Sequence, residues 1–459
     1  MKTELYLYDV FPKVFPEGRE VRVTVKPLGR QSAFPGGPLR LSVCPLHERD
    51  YPLFEKAGSG ATYEVRPEED GCLRFSHVFQ GEQEHYLRVF SGEKRLCQLS
   101  VYSLKEDLAG LMPLMGDLHL HTIRSDGRED PALVATHLRQ RGYDFIAITD
   151  HRNFSGSLEA IDAFSEVPIG IHLLTGEEVH LPDCPIHVVH VGGRYSINAM
   201  VEENHALIDA RNPGIEARFP AAWRSGYGSG FPGTLNDADF HQAVAAFEET
   251  LPPIPEELPR FVYAGFAFVC EQIRKAGGLA IFAHPYWIND LYHVDERLTM
   301  YIFQQKAFDA FEVLGGEMYY EQNGFQTAHY NQARAMGLSF PIVGSSDSHS
   351  SVNNPAAFIA RTLCFAKANT TPAILQAIRD SLSVAVDQIS SEPRLVGDYR
   401  LIKYGYFLME HYFPLHDAAC FEQGRAMKEY HCGDRAEGRD MLRLLDGRVG
   451  RLYRKYFAC

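Results

Sequence analysis

The stretch 116–127 places Asp117, His119 and His121 at alternate positions, with Leu118 and Leu120 between them. Successive side chains on a β-strand point to opposite faces, so the three polar groups share one face and the leucines the other. Two imidazoles side by side can converge on one cation, and neutral imidazole is the commonest metal ligand among side chains. Asp126 follows in a Gly-containing turn that can fold it back over the same spot. Four later segments repeat this grammar, a short apolar run ending in metal-type ligands. Segment 145–151 ends in Asp150 and His151, 173–178 in Glu177 and Glu178, 280–285 carries His284, and 341–349 ends in Asp347 and His349. A packed core has no need of an Asp or His after strand after strand, and burying such groups unpaired costs several kcal/mol each. A metal cluster at one end of a parallel sheet removes that cost.

Taken in order, Asp-x-His-x-His, Ser-Asp-Gly, Thr-Asp-His, Gly-x-Glu, Ala-His-Pro and Ser-Asp-x-His resemble the PHP (polymerase and histidinol phosphatase) family of metal-dependent phosphoesterases. The resemblance covers about residues 111–386. It implies a distorted (β/α)7 barrel and nine ligands for two or three divalent transition metal ions, at most a trinuclear centre. By that resemblance His119, His121, Glu178 and Asp347 hold the first ion. Glu178, bridging, with His187 and His284 holds the second, and Asp126, His151 and His349 the third. Asp126 stands where some family members have His. The family spacing Gly-x-Glu selects Glu178 over Glu177, which then lies behind the site or faces solvent. His187 and His190 fall on opposite strand faces and cannot both enter the site; we take His187.

The chemistry implied is phosphoester hydrolysis, the release of phosphate from a small soluble substrate through a metal-activated hydroxide. Paired cations stabilise both the attacking and the leaving oxygen. Mixed nitrogen and oxygen donors suit Zn, Mn or Fe alike. Asp117 and Asp150 precede ligand histidines and are natural partners for ring N–H groups. Arg124, Arg152 and Arg194 follow three of the motifs and could grip phosphate oxygens bidentately, or be ordinary surface arginines. Tyr286 and Trp287 could wall a substrate or pack in the core. Two other functions share these residues: hydrolysis of a carboxylic ester, amide or carbamate, and a non-catalytic module that keeps a metal. A purely structural site needs one ion and about four ligands, fewer than are present.

Composition narrows the partners. The chain has 459 residues and a formal net charge of −14. A general nucleic-acid binder carries a basic face, so none is expected. A small anionic substrate remains compatible, because bound dications reverse the local sign. Nine cysteines are scattered without a C-x-x-C pair, which gives neither a disulfide framework nor a zinc knuckle. The first residues show no basic stretch followed by an apolar one, and no apolar run approaches the ~20 residues of a membrane span. A cytoplasmic protein with no membrane contact is expected, and nothing in the sequence sets its oligomeric state.

Three regions must position these residues. Residues 1–108 alternate with period two between Gly- and Pro-rich joints, which predicts a β-sandwich-like domain. Residues 109–386 alternate strand, loop and helix, with strands at 115–121, 145–149, 171–177, 186–191, 279–283, 309–314 and 340–345. That pattern predicts a parallel barrel or open α/β sheet, with functional residues at the carboxyl ends of strands. Asp130 with Pro131 starts a helix as N-cap and first-turn proline. Another helix runs over 261–276, and a third begins near Thr371. The segment 195–260 is too long for a plain connection and reads as an insertion, a lid or a surface excursion. It holds helical stretches at 198–210 and from about 239, and a Gly-rich run at 226–233 without the lysine of a phosphate loop. Residues 387–459 carry apolar stripes at helical spacing and predict a helical appendage.

Overall fold

A computed structural model describes residues 6–48, 60–201, 235–315, 320–352, 360–388 and 392–458. Residues 202–234 of the expected insertion, including 226–233 and 202–210, lie outside the described residues. The chain divides into two compact units: residues 1–111 with 402–419 and 447–459, and residues 112–401 with 420–446.

The first unit is built as its period-two runs predict. Tyr8–Phe11, Glu20–Pro27 and Leu73–Val78 form a three-stranded antiparallel sheet. Val14–Pro16, Lys94–Leu104, Gln83–Ser91, Leu39–Pro45 and Ala61–Val65 form a second, five-stranded sheet in that spatial order. Their inward side chains, among them Val23, Leu41, Leu87 and Leu99, are fully buried in one core. Residues 447–459 are part of this unit: Lys13 N–H donates to Tyr456 O at 2.7 Å, and Lys455 Nζ to Asp9 Oδ2 at 2.6 Å. The helical tail expected over 387–459 divides between the two units. Its middle helices serve the second unit, where Ala426, Met427, Tyr430 and Leu442 pack against Leu138, Tyr143 and Phe164.

The second unit is mixed α/β. One sheet has the order His172–Leu174, Phe145–Ala147, Met112–Asp117, Ala360–Ala366, Ser383–Asp387 and Arg394–Val396; its first three strands are parallel and the rest join antiparallel. The other has the order Gly176–Leu181, Cys184–Val191, Leu279–Phe282, Ala310–Leu314 and Ile342–Gly344. Isolated parallel bridges join Leu120 with Ser348, both past their strands, and His151 with Glu178 inside Gly176–Leu181. This departs from the parallel expectation, and at one hairpin the reason is local. Gly176–Leu181 and Cys184–Val191 pair antiparallel across a tight turn in which Asp183 has φ 52°. A parallel crossover needs a dozen or more residues, and the sequence leaves too few there.

Helices cover the sheets where their signals place them. Pro131–Gln140 starts with Asp130 accepting from Ala132 N and Leu133 N. Arg260–Lys275 buries Phe266, Val269, Cys270 and Ile273 on its inner face. Asp237–Glu248, capped by Asn236, sends Phe240 and Val244 into the same core. The described end of the expected insertion is thus anchored in this core by Phe240 and Val244.

Candidate metal centre

The site begins where Met112–Asp117 ends. Alternation holds past the strand: Leu118 and Leu120 are buried in the core, while His119 and His121 face the opposite way. His121 N–H donates to Ser348 O at 2.9 Å, so the segment carrying Asp347 and His349 lies alongside. His121 Nε2 is 2.8 Å from Asp347 Oδ1, and His119 Nε2 is 3.2 Å from the same oxygen.

Glu178 is the centre of the cluster. Its fully buried carboxylate lies within 3.6 Å of six imidazoles: His151 and His187 at 2.6 Å, His119 at 3.3 Å, His284 at 3.4 Å, His121 at 3.5 Å and His180 at 3.6 Å. A carboxylate offers about four lone-pair sites, so hydrogen bonding alone cannot satisfy this crowd. His119 Nε2, His187 Nδ1 and Glu178 Oε2 are buried without a hydrogen bond of acceptable geometry. Asp126, half exposed in its turn, approaches His349 Nε2 at 3.4 Å and His151 Nε2 at 3.5 Å. His349 Nδ1 donates to Asp347 O at 2.9 Å, which leaves its Nε2 free to face Asp126. The structure thus brings all nine expected ligand positions into one cluster, and the donor set fits divalent transition metals.

Strand register separates the two glutamates. Glu177 is opposite His190 in the hairpin, and Glu178 is opposite Val189. Glu177 is buried, not solvent-facing. It is buried among its own donors: His190 Nδ1 at 3.1 Å, Ser196 Oγ at 2.6 Å, Asn198 Nδ2 at 2.9 Å and the Ile197 N–H. His190 goes with it, away from Glu178, and His187 faces the cluster.

Electrostatics prepares the donors in two ways. Burial, reinforced by neighbouring histidines and opposed by carboxylates, pushes His121 and His187 down to about 3. Both are neutral near pH 7, with lone pairs available. Burial also opposes the charge on His151, but Glu178 and Asp126 outweigh it and raise the group to about 10. His119, His284 and His349 are likewise raised: burial opposes their charge and nearby carboxylates outweigh it. The histidines around Glu178, in turn, outweigh burial and hold its carboxyl well below the usual range.

Three site residues, Arg152, His284 and Asp347, have positive φ of 55°, 23° and 49°. Such conformations cost of order ~1–3 kcal/mol each and gather at functional sites. A cavity of about 590 Å³ opens over the cluster, with Arg128, Arg152 and Trp287 among its lining residues.

Several expected roles are corrected. Asp117 and Asp150 touch no imidazole nitrogen. Asp117 accepts from His119 N, Ser346 N and Ser346 Oγ, and Asp150 from Thr122 N, Thr122 Oγ1 and Ser125 Oγ. They brace the loops that carry ligands. Arg194 is exposed and donates to Lys275 O at a helix end, away from the cavity. Arg124 is tied to Glu159 at 2.7 Å. Arg152 does line the cavity, and its Nε is buried without a hydrogen-bond partner. Trp287 lines the cavity too, whereas Tyr286 is buried and bonded to His329.

Sequence reasoning missed four residues. Glu312 is buried behind the cluster, with Oε2 2.9 Å from His119 Nδ1, and so fixes which ring nitrogen faces Glu178. It interrupts one more short apolar run, Ala310–Leu314, and a charge inside such a run was a usable signal. Arg128 has no motif. His180 stands two residues after Glu178, the same spacing as His119 and His121. His293 accepts the His187 backbone N–H at Nε2, 3.1 Å away.

No family model matches the chain. It is 28% identical to a 5'-3' exoribonuclease of Haemophilus influenzae over 189 residues, 37% of this chain and 68% of that protein. Among solved structures it is similar to a two-domain protein of Bacteroides vulgatus containing a PHP-like metal-dependent phosphoesterase. That match has 16% identity and a TM-score of 0.36, and covers 60% of this chain and 65% of that one. A protein described as a metal-dependent phosphoesterase of Bifidobacterium adolescentis matches at 22% identity and TM-score 0.31, over 52% of this chain and 89% of that one. An amidohydrolase of Chromobacterium violaceum matches at 21% identity and TM-score 0.32, over the same shares. Among the described residues no helix is long and apolar enough to cross a membrane.

Proposed function

We propose that this chain is a metal-dependent hydrolase that releases phosphate from a small anionic phosphoester. The observation that carries this is the single buried carboxylate of Glu178 among six imidazoles, a set of donors too large for hydrogen bonding to satisfy. We assign two or three divalent ions to it. His119, His121, Glu178 and Asp347 hold the first, Glu178 with His187 and His284 the second, and Asp126, His151 and His349 the third. The two mixed sheets, joined by isolated bridges, are on this proposal a distorted (β/α)7 barrel.

Bound divalent cations supply an acidified water and positive charge for both oxygens of the bond being broken. The chain's own residues do the rest. Glu312 holds the Nδ1 side of His119, so that Nε2 is presented to the site. Arg152, with its unsatisfied Nε, and Arg128 line the cavity and grip the non-bridging phosphate oxygens. Trp287 gives the organic part of the substrate an apolar wall.

A second reading takes the 5'-terminal phosphodiester of RNA as the substrate, and the likeness to an exoribonuclease favours it. The net charge of −14 opposes extended contact with a nucleic-acid backbone. The test is a substrate panel on metal-loaded protein: phosphomonoesters, a diaryl phosphodiester, 5'-phosphorylated RNA, aryl esters and an amide. Turnover of phosphomonoesters supports the first reading, and of RNA ends alone the second. Turnover of aryl esters or amides without any phosphoester overturns both.

A further inference from the structure

Both ring edges of His151 meet potential donors, and one of these belongs to a residue outside the nine positions assigned above. We propose that His180 is an additional metal ligand, which completes a four-donor set with Glu178, His151 and His187. The proposal rests on the metal-centre reading and deepens it.

The strand Gly176–Leu181 presents His180 on the same face as Glu178, two residues earlier. Its pairing with Cys184–Val191 shifts register between Val179 and Leu181, so His180 sits at the irregularity, outside the regular ladder. Its backbone N–H is held instead by Asn198 Oδ1 at 2.9 Å. The same Asn198 donates to Glu177 Oε2 and to Glu178 O, at 2.9 and 3.0 Å. One side chain therefore sets the path of the strand through both Glu178 and His180. This arrangement fixes the ring in the cavity wall, with its centroid 3.9 Å from that of His187.

The distances are those of donors around one point. His180 Nε2 is 3.0 Å from His151 Nδ1 and 3.6 Å from Glu178 Oε1. His151 Nδ1 is 2.6 Å from Glu178 Oε2, and His187 Nδ1 is 2.6 Å from Glu178 Oε1. Donors bound to one ion through ~2.0–2.1 Å bonds stand roughly 3 Å apart. A lone proton between His151 and His180 accounts for one of these contacts and leaves the others. A shared cation accounts for all of them. A neutral imidazole has one lone pair, so on this proposal His151 gives Nδ1 to this ion and turns its Nε2–H to Asp126 at 3.5 Å, in place of its assignment to the third ion.

The experiment titrates metal-stripped protein with Co²⁺, following the visible spectrum and bound metal, for the wild type and His180→Gln. Wild type that binds no Co²⁺ fails the metal-centre reading itself. If wild type binds, the proposal expects His180→Gln to bind one class of Co²⁺ about tenfold or more weakly, with an altered spectrum. Wild-type affinity and spectrum in the variant overturn the proposal. If the variant fails to fold, an anomalous-difference map of Co²⁺-loaded wild-type crystals decides. An ion within bonding distance of His180 Nε2 supports the proposal, and ions only elsewhere in the cluster overturn it.

Discussion

Exchanging the two neighbouring glutamates one at a time separates scaffold from site. Glu177 accepts four hydrogen bonds in a fully buried setting: Oε1 from His190 Nδ1 and Ile197 N, Oε2 from Ser196 Oγ and Asn198 Nδ2. In Glu177→Gln one oxygen becomes an NH₂, so two of the four donors lose their acceptor. Hydrogen bonds to a charged group contribute ~1.5–3 kcal/mol each, which puts the loss at roughly 3–6 kcal/mol. At ~2–4 °C per kcal/mol for a domain of this class, the melting temperature falls by roughly 6–24 °C. Metal content stays near that of the wild type, because none of the four donors is an assigned ligand, and Asn198 keeps its bonds to Glu178 O and the His180 N–H. Glu178→Gln does the reverse. It removes the one carboxylate that six histidines surround, so metal loading collapses by more than the ~10–100-fold typical of a supporting partner. The assay is thermal denaturation beside elemental analysis of both variants after identical metal supplementation. Loss of metal from Glu177→Gln at an unchanged melting temperature, or full loading of Glu178→Gln, refutes the register argument.

Three further outcomes are expected. Glu312→Gln keeps the fold but weakens metal binding ~10–100-fold, read by competition with a chelator; unchanged affinity removes Glu312 from the support of His119. Arg152→Ala lowers kcat/KM for a phosphomonoester ~10–100-fold, the worth of one charge-assisted hydrogen bond, whereas Arg194→Ala, exposed at a helix end, leaves it within twofold; equal effects would show that cavity lining does not decide. Metal uptake at pH 7.5 should release protons, because His151 is raised to about 10 and so carries a proton there that metal ligation must displace. The same shift adds stability to the metal-free protein below the unfolded histidine value of ~6.5, and this is lost as pH rises through about 10. Titration calorimetry in buffers of different ionisation enthalpy measures the release, and none at pH 7.5 contradicts the assigned charge of His151.

What the sequence made legible follows from what period and spacing carry. Alternation along one strand assigns faces, so His119 with His121, and His187 against His190, could be sorted without coordinates. The hairpin register then explains the second pair: His190 is opposite Glu177 and shares its buried network, while His187 lies with Glu178. The same rule applied to Glu178 and His180 had the information to include His180, and only the motif framing left it out. The antiparallel hairpin was also within reach, since the short gap between the expected strands excludes a parallel crossover.

Roles that depend on which distant loop approaches were not legible in this way. Asp117 faces the same side as His119, which made a bond to an imidazole a reasonable expectation. The structure gives its oxygens to Ser346 instead, a residue 229 positions away, while Ser125 and Thr122 take those of Asp150. The carboxylate that does meet a ligand imidazole is Glu312, 193 positions from His119. Spacing states that a carboxylate is available at a strand end but not which ring it will meet, because that is set by sheet order. The arginines divide for the same reason. Arg152 stands next to a ligand, where the chain turns through positive φ and its guanidinium is carried into the cavity. Arg194 follows a strand just as closely, yet the end of Arg260–Lys275 lies beside it and its carbonyls take the guanidinium first. A charged side chain near a motif becomes part of the site only when no nearer partner satisfies it, and the Nε of Arg152, buried and unbonded, meets that condition.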